Sequence, residues 1–171
     1  VPDVPWTPGD FPAPIRVTPA APAADRLPAG RRTLAVAGDG AGPNAHRLAT
    51  DAGWPLLAEP SSQARLTGAI AHYLRLLADG LADDVERIVV FGHPTLSRPI
   101  SRLLARTDVE VVVVSPTARW TDVAGSASLI TPAIRVEAPA ETDRAWLARW
   151  QDADASVALD PSPMQDAALA L

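Results

Sequence analysis

The run Glu110-Val111-Val112-Val113-Val114 is the feature that most restricts how this chain can fold. Adjacent β-branched residues favour extended backbone, and successive side chains of a strand point to opposite faces. Valine on both faces demands apolar cover above and below, the condition of an inner strand in a parallel sheet. Two other runs have this character: Thr33-Leu34-Ala35-Val36-Ala37 and Arg87-Ile88-Val89-Val90-Phe91. Weaker strand candidates lie at 54–58, 133–137 and 156–159.

Between the strands the apolar spacing becomes helical. Ala45, Leu48 and Ala49 share one side of a segment at 43–52, and Leu66, Ile70, Tyr73, Leu74, Leu77 and Leu81 recur at three- and four-residue steps. A helix after Gly92-His93-Pro94 is expected to bury Leu96, Ile100, Leu103 and Leu104. Another, around 142–151, turns Trp146, Leu147 and Trp150 inward. Strand and helix alternate about six times. That pattern predicts the α/β class: an open, mostly parallel, about six-stranded sheet with helices on both faces, Rossmann-like and DHS-like.

Residues 1–30 hold eight of the 18 prolines and read as an extended interdomain connector, which Trp6, Phe11 and Ile15 would pin to the body. The central domain is expected over 31–160, and 161–171 read as the start of a linker or helix to another domain. The opening Val1-Pro2-Asp3 has neither an initiator Met nor a signal-peptide pattern, so the chain reads as a piece of something longer.

With no cysteine, disulfides and thiolate metal sites are excluded, and the expected compartment is the cytoplasm. No apolar run is long enough to span a membrane. A net charge of −5 argues against a nucleic-acid binder. All 15 basic residues are Arg.

Two loops draw attention because open α/β sheets place ligands at the C-terminal ends of their strands. Gly38-x-Gly40-x-Gly42 follows the first strong strand and approaches a dinucleotide fingerprint, with Glu59 about where a ribose-binding carboxylate would stand. The third fingerprint position, however, is Pro43, and an inert glycine-rich turn is the competing reading. The second loop is Gly92-His93-Pro94-Thr95-Leu96-Ser97-Arg98-Pro99. Pro99 fits only a first helical turn, so Ser97 is the expected cap, and Arg98 stands beside free helix N–H groups. The next strand leads into Arg119-Trp120. Thr95, Arg98, Arg119 and Trp120 together make a candidate site for a small aromatic carboxylate, through charge-assisted hydrogen bonds and stacking. The competing reading pairs both arginines with surface carboxylates. No catalytic, cofactor-binding or metal-ligating set emerges: His46, His72 and His93 lack metal-ligand spacing, His72 reads as solvated, and Arg102 and Arg106 read as one exposed helix face.

The stretches Gly53-Trp54-Pro55-Leu56-Leu57-Ala58-Glu59-Pro60-Ser61-Ser62, residues 89–99 and Arg119-Trp120-x-Asp122 resemble one family. It is that of the 2-succinyl-5-enolpyruvyl-6-hydroxy-3-cyclohexene-1-carboxylate synthases (MenD), in an actinobacterial-looking version. The resemblance covers roughly 31–159. It implies a three-domain enzyme of menaquinone synthesis that uses thiamine diphosphate with Mg²⁺ or Mn²⁺. Such an enzyme decarboxylates 2-oxoglutarate, adds the succinyl unit to isochorismate, and assembles as a homodimer or tetramer. This chain would be the middle domain, noncatalytic and without a cofactor of its own. Its partners would be the flanking domains and, at the arginine edge, a pathway acid such as 1,4-dihydroxy-2-naphthoate. The alternative is an autonomous NAD-, FAD- or ADP-binding domain.

Overall fold

The structure is a computed structural model, and it describes residues 23–117, 122 and 124–159. In chain order the elements are β1 (Asp25–Leu27), β2 (Thr33–Ala37), α1 (Pro43–Ala52), β3 (Leu56–Ala58), α2 (Tyr73–Ala78), β4 (Arg87–Phe91), α3 (Arg98–Leu104), β5 (Glu110–Val114), β6 (Ala127–Thr131), β7 (Ile134–Val136) and α4 (Glu141–Leu159). Five strands form one parallel sheet in the order β3-β2-β4-β5-β6. The chain leaves β2 toward β3 on one side and then returns past it to β4. The strand order therefore reverses between β2 and β4, where loops diverge and leave space above the sheet.

The alternation of side chains across the strands divides the core into two layers. Leu34, Val36, Ile88, Val90, Val111 and Val113 face α2, α3 and α4, and pack with Tyr73, Ile100, Trp146 and Trp150. Ala35, Ala37, Val89, Phe91, Val112 and Val114 face α1 together with Leu27 and Ile134. Small residues in β2 let Ala45, Ala49 and Ala52 of α1 come close. That helix begins with Pro43 and ends at Gly53, whose left-handed conformation lets the following Trp54 N–H reach the Ala49 carbonyl.

The expected class is the observed one: parallel strands with helices on both faces. Several boundaries are not. The main sheet has five strands, and residues 156–159, expected as a strand, are the last turn of α4. Neither Gly nor Pro interrupts Glu141–Leu159, so the helix continues through a short apolar run that periodicity alone cannot classify. The strand expected at 133–137 is β7, but it pairs with β1, inside what read as the connector, rather than with the main sheet. Strand β6 had no clear signature, because as an edge strand it is half-exposed. The helix expected over 66–81 shrinks to Tyr73–Ala78, with Gly68 at φ +93° upstream. Arg106 lies beyond the end of α3, where it bonds Asp108 and the carbonyls of Ala82 and Asp83.

The short α2 is anchored from outside. Asp154 of α4 accepts the backbone N–H groups of Ala71 (3.0 Å) and His72 (2.7 Å), and the His72 ring Nδ1 lies 3.0 Å from the same carboxylate. A remote carboxylate thus ties down the two residues that lead into α2, and His72 is engaged rather than freely solvated. Asp154→Ala is expected to lower stability by about 1–2 kcal/mol. A thermal melt indistinguishable from the parent would rule this anchor out.

Candidate functional site

Above the C-terminal ends of β2, β3 and β4, the loop 92–97 is gripped from two sides. On the β2 side, the Asp39 N–H donates to the His93 carbonyl at 3.0 Å, and the His93 N–H returns to the Asp39 carbonyl at 2.8 Å. This pairing requires the two backbones to touch. A Cβ on Gly38 would stand 2.1 Å from the Pro94 nitrogen, and one on Gly92 would stand 2.4 Å from the Asp39 oxygen. On the β3 side, the Glu59 carboxylate accepts the N–H groups of Thr95 (3.1 Å) and Leu96 (2.9 Å), one on each oxygen. Glu59 is 1% exposed. A buried carboxylate needs such partners, and these two amides provide them.

The loop then delivers α3. Ser97 caps it as the sequence indicated, its Oγ accepting the Ile100 N–H at 3.2 Å, with Pro99 in the first turn. Arg98 is the first helical residue. Its side chain is exposed and makes no hydrogen bond or ion pair among the described residues. Thr95 is exposed as well. Leu96, expected in the core, is 63% exposed.

Two clefts flank this loop and share no lining residue. The first, of about 470 Å³, opens at the point where the strand order reverses. Phe91, Leu48 and Val114 line it, and Asn44, Arg47 and His93 contribute polar groups. Gly40 and Gly42 have φ of +73° and +71°, with nothing within 4 Å of where a Cβ would be. The second cleft, of about 450 Å³, lies between the approach to α2 and the Leu96-Ser97 corner. Leu74, Leu96 and Pro60 give it apolar walls, and Arg65, Tyr73 and Ser97 give it polar groups. Its wall accounts for one more exposed leucine side chain, that of Leu74, which lines the cleft at 46% exposure.

Of the sequence-proposed set, Thr95 and Arg98 flank the lining pair Leu96-Ser97 in the chain but do not themselves line the second cleft. Arg119 and Trp120 lie outside the described residues, as do Trp6, Phe11 and Ile15. The exit of β5 toward them, Ser115 to Thr117, lines the first cleft. Sequence reasoning missed Arg65 and Tyr73, because Tyr73 sat in a regular leucine stripe and read as core. Burial, and next the Glu59 charge, raise the Tyr73 hydroxyl above its ordinary pKa, against a smaller opposing effect of Arg65. The phenol is therefore neutral at physiological pH and available as a donor.

Sequence comparison adds relatives on which the same name recurs. A 2-succinyl-5-enolpyruvyl-6-hydroxy-3-cyclohexene-1-carboxylate synthase of Kineococcus radiotolerans is 47% identical over 161 residues, covering 86% of this chain. The synthase of a Nocardioides species is 46% identical over 172 aligned positions, covering 92% of the chain. That of Leifsonia xyli is 44% identical over 130 residues, covering 72%. The chain belongs to the MenD synthase family. No family model matches it. It spans 29% and 31% of the lengths of the first two relatives, so it corresponds to one portion of a MenD-type protein. Within this MenD portion, no three of His, Asp or Glu come together to hold a metal ion among the described residues. No helix there is long and apolar enough to cross a membrane.

Proposed function

We propose that the complete protein is a thiamine-diphosphate-dependent synthase of menaquinone synthesis. It decarboxylates 2-oxoglutarate and transfers the succinyl unit to isochorismate, and this chain is its central, noncatalytic domain. The observation that carries the reading is 46–47% identity across 86–92% of the chain to proteins bearing that synthase name. In this proposal the cofactor, its Mg²⁺ or Mn²⁺ and the reacting groups belong to the flanking domains, and the whole assembles as a homodimer or tetramer. The central domain supplies a rigid five-stranded platform between them. Full-length protein should consume 2-oxoglutarate and isochorismate only with thiamine diphosphate and the metal present. Turnover without the cofactor would refute the assignment.

The second part of the proposal is regulatory. The edge bearing Thr95, Arg98, Arg119 and Trp120 receives an aromatic carboxylate of the pathway, with 1,4-dihydroxy-2-naphthoate as the model compound. Support comes from the exposed Arg98 guanidinium, which has no partner among the described residues, and from Arg65 in the adjoining apolar-walled cleft. A guanidinium binds a carboxylate through two parallel charge-assisted bonds, and an apolar wall accepts the ring. Arg98→Ala in the full-length enzyme should weaken inhibition by this acid roughly tenfold or more, while turnover without it persists. Unchanged inhibition would exclude Arg98 from the site.

One observation keeps the nucleotide-binding alternative in view. The first cleft sits at the strand-order reversal beside the open Gly40 and Gly42 turn. Against it, both oxygens of Glu59, the only ribose-binding candidate, are held by backbone amides. Calorimetric titration with FAD, NAD and ADP-ribose decides the matter, and heat with any of them would favour the alternative.

A further inference from the structure

The second cleft combines two features that point to a protein cover. Leu74 and Leu96, at 46% and 63% exposure, wall it together with Pro60. Single exposed leucines are ordinary, but two on facing elements of one concave patch mark surface that something covers. The lining also carries no negative charge: Arg65, His72 and Arg75 line the cleft, and no acidic side chain does. Arg65 makes no hydrogen bond or ion pair among the described residues, while Arg75 bonds Asp79, outside the lining, at 2.8 Å. A cover for this cleft must therefore bring apolar side chains and negative charge together.

The path of α4 leads to such a cover. Early in the helix, Trp146 donates its ring N–H to the carbonyl of Thr33, the first residue of β2. About 12 Å further along the axis, Asp154 accepts the N–H groups of Ala71 and His72, both of which line the cleft. The helix thus climbs from the N-terminal edge of the sheet toward the edge where Leu96 and Ser97 stand. It ends at Leu159, about 7 Å beyond Asp154. Next in the sequence come Asp160-Pro161-Ser162-Pro163-Met164-Gln165-Asp166-Ala167-Ala168-Leu169-Ala170-Leu171, which lie outside the described residues. Proline in a helix interior removes a hydrogen bond and clashes with the preceding turn, so Pro161 and Pro163 cannot extend α4. The run has acidic residues at 160 and 166 and no basic residue. Met164, Ala168 and Leu171 recur at four- and three-residue steps, the spacing of one helical side.

We infer that the second cleft is the docking site of residues 160–171 of the same chain. Met164, Ala168 and Leu171 lie against Leu74, Leu96 and Pro60, and Asp166 stands toward Arg65. Residues 160–163, extended, give a reach of roughly 13 Å from the end of α4, enough to bring Met164 to the cleft. Docking covers the exposed leucines, sets acid against base, and fixes the direction in which the chain leaves the domain. The inference goes beyond the proposed function and does not rest on the regulatory reading: no small ligand takes part, and neither Thr95 nor Arg98 lines the cleft.

The test is amide hydrogen exchange in the full-length protein, read on peptides that span 164–171. In the parent these amides should be protected. Leu74→Asp and Leu96→Asp replace side chains that are exposed in this structure, so with an open cleft each change would be nearly silent. With the segment docked, each should speed exchange over 164–171 by roughly tenfold or more, since each removes apolar contact of about one leucine. Leu66→Asp, at an exposed leucine that does not line the cleft, should leave that exchange unchanged. Arg65→Asp should speed it as well, and Asp166→Arg added to Arg65→Asp should restore protection, which general loosening of the domain would not do. Unprotected amides over 164–171 in the parent would overturn the inference. Protection that survives both leucine changes would overturn it too, because the segment then packs elsewhere. Loss of subunit association in Leu96→Asp, with exchange over 164–171 unchanged, would assign the cleft to a second copy of the protein instead.

Discussion

Gly38→Ala is expected to destabilise the domain by about 3 kcal/mol or more, well beyond the effect of the same change at Gly40. At Gly38 the new methyl would lie 2.1–2.4 Å from three backbone atoms of His93 and Pro94. Backbone on both sides leaves no flexible side chain to move aside. Relief must come from separating the loops, which breaks the two hydrogen bonds between Asp39 and His93. At Gly40 a methyl meets nothing within 4 Å, and the only penalty is the left-handed conformation at φ +73°, about 1–2 kcal/mol. In a dinucleotide fingerprint the second glycine matters most for ligand approach and the first makes the tight turn. The ranking here comes instead from loop-to-loop packing. Denaturant unfolding with an unchanged m-value would measure both variants. Equal losses at the two positions would refute the packing account of this glycine run.

What was legible in the sequence follows the range of the interactions involved. Strands β2, β4 and β5 were plain, because a strand covered on both faces leaves a continuous apolar run at one place in the chain. The cap at Ser97 was legible for the same reason, since Pro99 two residues later admits only a first-turn position. Edge strand β6, half-exposed and irregular in register between Val111 and Val112, carries no such run. Leucine spacing could not tell a core from a cleft wall. Leu74 and Leu96 obey helical periodicity yet face the second cleft, while Tyr73 obeys it and is nearly buried. Glu59 was harder still. Its partners are main-chain amides 36 and 37 residues away, and a backbone N–H leaves no trace in residue identity. The carboxylate was noticed for its place at the end of a strand, but the group it serves is the neighbouring loop.

That role of Glu59 predicts the second large effect. Glu59→Ala should lower stability by about 2–4 kcal/mol, through two lost charge-assisted bonds and two amides left without their acceptor. Glu59→Gln is the more discriminating variant. It preserves size, yet it turns one of the two acceptors into a donor that must face the N–H of Thr95 or Leu96. If the carboxylate serves only to fill space, glutamine should be nearly neutral; if it clamps the loop, glutamine should still lose about 1–3 kcal/mol. Asp39→Asn is the matched control, because Asp39 holds the same loop through its backbone alone, and a surface change of this kind should stay within about 0.5 kcal/mol. Amide exchange at Thr95 and Leu96 reads the clamp directly: both should lose protection in Glu59→Gln and keep it in Asp39→Asn. The cleft wall at Leu96 and the start of α3 at Arg98 follow directly from this loop, so the clamp also sets the geometry on which the proposed regulatory site depends. A Glu59→Gln domain as stable as the parent, with both amides still protected, would show that the loop is held by the β2 side alone.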